Sequence, residues 1–265
     1  MRRLLAFFVG LRPASTVVFA GVLGLAGLAG PACDDEKSAA PPASGTPPAS
    51  ASASASASPP PAPPEVRAPD IVVDPSYVAI GNDKVPTVEA GLADRVAVFL
   101  TGRPMIEGQT VDVVAMRNAK PSEVAAVIAA LRKAKATGAG IKTEARDNST
   151  QRLPLTFAMP SEPCTVVAWI AKDAAIDVWP LGGGRAKRVI KGLAGPDMTL
   201  GLDAVRAAAQ TCNASTIVAG ADEAMTWGLM FDLATASLTA PGSRASAAYL
   251  VTSAVPGRKL TFDEK

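Results

Sequence analysis

Ionisable side chains gather at three places along this 265-residue chain. Asp173 with Asp177, and Asp222 with Glu223, are carboxylate pairs of the kind that share acid–base work in glycoside hydrolysis. Gly182-Gly183-Gly184-Arg185-Ala186-Lys187-Arg188 joins a glycine turn to cations, a combination that suits a phosphate or another anion. Each has a plainer reading. The acid pairs fall at turns and helix starts, where carboxylates cap backbone N–H groups. The glycine run lacks the G-x-x-x-x-G-K-[ST] spacing and follows a hairpin, so it reads as an exposed turn with a solvated basic run. What remains for it is contact with an anionic polymer, such as the cell wall, through Arg185, Lys187, Arg188 and Lys191.

Histidine is absent from the whole chain, which removes the commonest general base, the commonest metal ligand and the usual nucleophilic triad. No serine stands in a nucleophile-elbow context. Three cysteines without histidine do not make a structural zinc site. The expectation is a protein that is not an enzyme, with no metal and no cofactor. Net charge is +2, and basic and acidic residues are balanced in both halves. That distribution carries no nucleic-acid footprint.

Residues 1–33 are expected to direct export. Arg2, Arg3 and Arg12 precede an uncharged stretch, Ala14 to Ala32, and Asp34, Asp35 and Glu36 follow it. Positive charge before the apolar run and acid after it orients the remainder across a membrane. The run is short for a spanning helix, and its end is rich in small residues, as in a processed signal. Gly30-Pro31-Ala32-Cys33 resembles a bacterial lipobox, which implies lipid on Cys33. An uncleaved anchor and ordinary secretion are the alternatives. Residues 34–69 form the expected linker. Its Pro, Ala and Ser repeats offer no apolar face to offset the entropy of ordering. Residues 38–64 alone would reach at most about 80–100 Å. With Cys33 committed to lipid, Cys164 and Cys212 are the natural disulfide pair in an oxidising periplasm.

The elements behind these residues repeat. In the first half, Ile71–Val73 and Tyr77–Ile80 read as strands around an Asp74-Pro75-Ser76 turn, with Gly81 to Lys84 as a second turn. Val88, Leu92, Val96 and Phe99 have helical spacing, and Val111 to Met116 is a strand. Pro121 and Glu123 open a helix with Val124, Val127, Ile128 and Leu131 on one side, stopped at Gly138. Ile141 to Ala145 returns to the sheet. In the second half, Thr165 to Ala171 and Ala175 to Trp179 form a hairpin. A helix opens at Gly195-Pro196-Asp197, Ser215 to Ala219 is a strand, Asp222 is the expected N-cap of a helix carrying Trp227 and Phe231, and Ala247 to Ser253 is the last strand. The expected fold class is α+β: two small tandem domains, 70–148 and 164–256, each a β-hairpin plus two helices on one mixed sheet.

On these elements the chain resembles the periplasmic domain of the ExbD/TolR biopolymer-transport family. The first half carries the likeness in Ile71 to Val85, Val111 to Met116 and the helix from Pro121 to Gly138. The second carries it in Ala221-Asp222, Trp227-Gly228 and Phe231-Asp232. The resemblance implies a non-enzymatic coupling or scaffold component of an envelope transport complex, anchored in a membrane with its folded part in the periplasm. It implies a multi-helix inner-membrane partner, and a domain able to form a homodimer or to contact the cell wall. The family's proton-carrying acid within the membrane span has no counterpart, since 13–32 contains neither Asp nor Glu. A stand-alone envelope lipoprotein that binds a small ligand or wall polymer is the alternative.

Overall fold

A computed structural model describes residues 69–88 and 90–262; the expected signal with Cys33, and nearly all of the linker, lie outside the described residues. All that is described falls within one compact unit, Pro61–Lys265.

Two short antiparallel pairings begin the fold: β1 (Ile71–Val73) with β2 (Tyr77–Ile80), and β2 with β3 (Asp83–Pro86). Asp74 accepts the Ser76 N–H at 2.9 Å and tightens the first turn. The second turn is narrower than its sequence suggests. Gly81 takes a left-handed conformation (φ 62°), so the chain already pairs again at Asp83. Helix α1 spans Leu92–Leu100, four residues later than the Val88 periodicity predicts. Gly91 stands before it at φ 72°, and Val88 is left 89% exposed. Its buried stripe is Leu92, Val96, Ala97 and Leu100.

Strand β4 (Thr110–Ala115) lies parallel to β1, and alternation buries Val111, Val113 and Ala115 on one face. Helix α2 (Pro121–Lys133) starts on proline, and Glu123 accepts the Lys120 N–H at 2.7 Å. It ends earlier than Gly138. Lys135 takes the left-handed position (φ 62°), and the Ala136 N–H closes back to the Leu131 carbonyl. Gly138 instead opens β5 (Gly138–Glu144), where a Cβ would stand 2.9 Å from the Leu155 carbonyl oxygen. A further strand, β6 (Thr150–Thr156), pairs antiparallel to β5.

The second half repeats the order of elements. Strands β7 (Val166–Ile170), β8 (Ile176–Pro180) and β9 (Lys187–Val189) pair antiparallel in succession. Helix α3 (Met198–Ala209) is capped by Asp197, which accepts the Leu200 N–H at 3.0 Å. Then come β10 (Thr216–Ala221), α4 (Trp227–Thr239) and β11 (Ala247–Val251), with β10 parallel to both β7 and β11. Asp222 does not cap α4. It accepts the Ala224 N–H within the preceding turn, and Thr226 occupies the N-cap.

The result is an α+β fold of four helices on an 11-stranded mixed sheet among the described residues, ordered β3-β2-β1-β4-β5-β6-β11-β10-β7-β8-β9. Strand β6 joins the halves, antiparallel to β5 and parallel to β11. Outward from it, β5-β4-β1-β2-β3 and β11-β10-β7-β8-β9 have matching pairing senses. Both halves feed one hydrophobic core that includes Val113, Leu131, Ile170, Trp227 and Phe231.

The opposite face differs between the halves. In the first it carries Asp112, which pairs with Lys142 at 2.8 Å and Arg152 at 2.9 Å. Gly140 leaves room for the Arg152 side chain to lie on the sheet. Burial disfavours the Asp112 charge, but hydrogen bonds from Lys142 and Arg152 outweigh it and lower its pKa. In the second half the same face is apolar: Val167, Trp169, Trp179, Val218 and Tyr249, packed with Leu260 and Phe262. The last described residues are strapped across it. Trp179 Nε1 donates to the Arg258 carbonyl at 3.0 Å, and the Leu260 N–H donates to the Leu181 carbonyl at 3.1 Å.

Candidate functional site

The basic run lies along the sheet edge formed by β9. Pairing of Lys187 with Val178 and Arg188 with Asp177 places successive side chains on opposite faces. Arg185, Lys187 and Lys191 are exposed. Arg188 is not free for a ligand: it donates to Asp177 at 2.7 Å and to Asp173 at 2.6 Å.

This arrangement also answers the question of the first acid pair. Asp177 sits inside β8 rather than at a turn, with its side chain 2% exposed. Burial raises its pKa, opposed by the Arg188 charge and hydrogen bond. Asp173 is held below the usual carboxylate range by its hydrogen bond from Arg188 and by the Ala175 N–H. Two carboxylates locked on one guanidinium form a structural clamp. Asp222 and Glu223 line a polar groove with Lys120 and Lys172, open to solvent, with a volume of about 520 Å³. Among the described residues, no three cysteine, aspartate or glutamate side chains converge on a position that could hold a metal.

The clamp yields a pH-dependent expectation. A raised Asp177 pKa means the folded state holds its proton more tightly, so its contribution to stability falls as pH rises through the acid range. The lowered Asp173 pKa acts in the opposite sense and adds stability above its unfolded value. Arg188→Gln should raise Asp177 further and cancel the gain at Asp173. The stability lost by Arg188→Gln is therefore expected to grow between about pH 3 and about pH 7. Denaturant midpoints of both proteins across that range test it, and a loss independent of pH would contradict the clamp.

Beside the basic run stands a feature that charge alone did not reveal. After β9 the chain makes a small turn closed by a bridge between Gly192 and Gly195. Ile190 is 76% exposed, and Leu193 at the turn is fully exposed. Large aliphatic side chains held in water beside Arg185, Lys187 and Lys191 make a mixed basic and apolar projection, suited to contact with another macromolecule. The signal lay in the sequence as two apolar residues around Lys191, but without the strand there was no reason to expect them outside the core.

The expected disulfide is present. Cys164 and Cys212 are bonded across a Cα separation of 5.5 Å. It ties the approach to β7 to the connection between α3 and β10.

The two halves meet at a second cluster of charge that sequence reading missed. Arg117, in the loop after β4, donates to both carboxylate oxygens of Asp232 on α4, at 2.9 and 2.7 Å. Arg146 reaches the same carboxylate at 2.9 Å. The Asp232 hydrogen bond raises the Arg117 pKa. A groove of about 570 Å³ borders this cluster, with Met198, Leu202 and Ala236 on its apolar side. Asp232 had carried only a family likeness; its partners are 115 and 86 residues away, beyond any local pattern.

No family model matches this chain, and no curated protein or solved structure is significantly similar to it.

Proposed function

We propose that this chain is a non-enzymatic, membrane-tethered periplasmic protein, a coupling or scaffold component of an envelope transport complex. In this reading it resembles ExbD/TolR, with two such units in tandem. The carrying observation is the connectivity: each half runs through three antiparallel strands, helix, parallel strand, helix and parallel strand, with the same neighbours in the sheet. Independent support comes from the edge at β9, where Ile190 and Leu193 are presented to solvent beside the exposed Arg185, Lys187 and Lys191. The Asp173–Asp177 pair, one of the two acid pairs with spacing for acid–base work, is instead held by Arg188.

Proton translocation is assigned to a partner, since 13–32 lacks an acid. A multi-helix inner-membrane protein is the partner this reading requires. The test is recovery of the full-length protein from detergent-solubilised native membranes, with bound proteins identified by mass spectrometry. A multi-helix inner-membrane protein should co-purify, and Leu193→Asp combined with Lys187→Glu should reduce its yield several-fold. Absence of such a partner from the unaltered protein would overturn the coupling role. The exposed Arg185, Lys187 and Lys191 favour one second reading, an envelope lipoprotein that binds an anionic wall polymer. Retention on purified cell wall without a membrane partner would select it.

A further inference from the structure

The last turns of α2 and the chain's final described residues enclose a cleft of about 300 Å³. Ala125, Ala129 and Arg132 form the α2 wall, and Thr252, Ser253 and Thr261 face it. Arg132 is held from two sides, its guanidinium carbon 5.2 Å from the Phe157 ring centre and 4.8 Å from that of Tyr249. Stacking of this kind contributes about 0.5–2 kcal/mol and fixes the guanidinium, yet it satisfies none of the five N–H donors.

Those donors have no protein acceptor among the described residues, and Nε is buried without a partner. Arg117, Arg152 and Arg188 each face a carboxylate, whereas among the described residues no Asp or Glu lines the Arg132 cleft. The terminal guanidinium nitrogens are the donors an acceptor in the cleft would meet, and the neighbouring hydroxyls can donate to that same acceptor. The small side chains of Ala125 and Ala129 leave space beside it. We propose that this cleft is a binding site for an oxyanion, the carboxylate or phosphate group of a small ligand, received by Arg132 and assisted by Thr252, Ser253 and Thr261. The site is built by both halves of the molecule and goes beyond the coupling role, on which it does not depend.

The test uses full-length protein labelled with nitrogen-15 in its arginine side chains and backbone, titrated separately with acetate, succinate and inorganic phosphate. Acetamide and chloride serve as the neutral and simple-ion controls. The Arg132 Nε–H resonance and the amides of Thr252, Ser253 and Thr261 should shift saturably with at least one oxyanion and with neither control. Whichever of carboxylate or phosphate saturates at lower concentration identifies the class. Arg132→Gln should weaken binding by at least about tenfold. Thr252→Val with Ser253→Ala, both at exposed positions, should weaken it several-fold at unchanged melting temperature. No saturable shift with any oxyanion, or an equal response to chloride, would overturn the proposal. So would oxyanion binding unaffected by the hydroxyl substitutions, which decide the matter even if Arg132→Gln fails to fold.

Discussion

Trp227→Ala is expected to cost about 3–5 kcal/mol of unfolding free energy, the range for truncating a buried aromatic residue. Trp227 is fully buried and opens α4, where the two halves of the molecule lock together. Its backbone N–H donates to the Ala119 carbonyl at 2.7 Å, and the next N–H, of Gly228, donates to the Arg117 carbonyl at 2.8 Å. The loop after β4 thereby satisfies the first donors of α4, which would otherwise be orphaned. The indole Nε1 donates to Thr143 Oγ1 at 2.8 Å, and that hydroxyl donates to the Ala115 carbonyl at 3.0 Å.

Alanine would leave a cavity against Phe231, whose ring centre lies 6.0 Å away, and would strip the buried Thr143 hydroxyl of its donor. Trp227→Phe separates the two contributions. It keeps much of the volume and loses the hydrogen bond, so its expected cost is smaller, about 1–3 kcal/mol. Denaturant unfolding of the three proteins measures both steps. A loss below about 1 kcal/mol for alanine would mean that the halves are not joined through this residue.

Elements whose signals are local were legible before the structure. Helix α2 has proline and glutamate at its start and a four-residue apolar stripe, and it begins where expected. Strands β4, β7 and β10 are runs of Val, Ile and Ala that needed no distant partner to be recognised. The edge strands were not legible, because an edge needs to bury only one face of a few residues. Strand β3 buries Val85 alone, and β9 buries Val189 alone, so both looked like turns with charges.

Strand β6 escaped for another reason: Arg152 and Pro154 point away from the core, Gln151 on the core side is itself exposed near the strand's start, and the strand's identity depends on pairing with β5 and β11. The same holds for the sites. The Cys164–Cys212 bond followed from cysteine arithmetic, whereas the Arg117–Asp232 pair and the Arg132 cleft arise from contacts across the joint between halves. Nor was the role of Asp177 visible. Sequence placed it with Asp173 at a turn as a capping carboxylate, and only the register of β8 against β9 brings Arg188 between them.

Removing the disulfide should shift stability by a similar amount through a different state of the chain. Cys164 and Cys212 are separated by 48 residues, and closing a loop of that size lowers the entropy of the unfolded chain by the equivalent of about 4 kcal/mol in the chain-entropy model. Cys212 is buried at the end of the α3 connection, so serine there adds a small local penalty. Cys164→Ser with Cys212→Ser is therefore expected to lower unfolding free energy by about 4 kcal/mol or slightly more.

Because the effect lies mainly in the unfolded ensemble, the denaturant dependence should steepen as that ensemble expands. Trp227→Ala, acting on the native core, should leave the dependence unchanged. Adding reductant to the unaltered protein should reproduce the loss seen in the double variant. Equal unfolding free energies with and without the bond would mean that the unfolded chain already keeps the Cys164 and Cys212 ends close together. The cross-link would then contribute nothing to the stability of the second half.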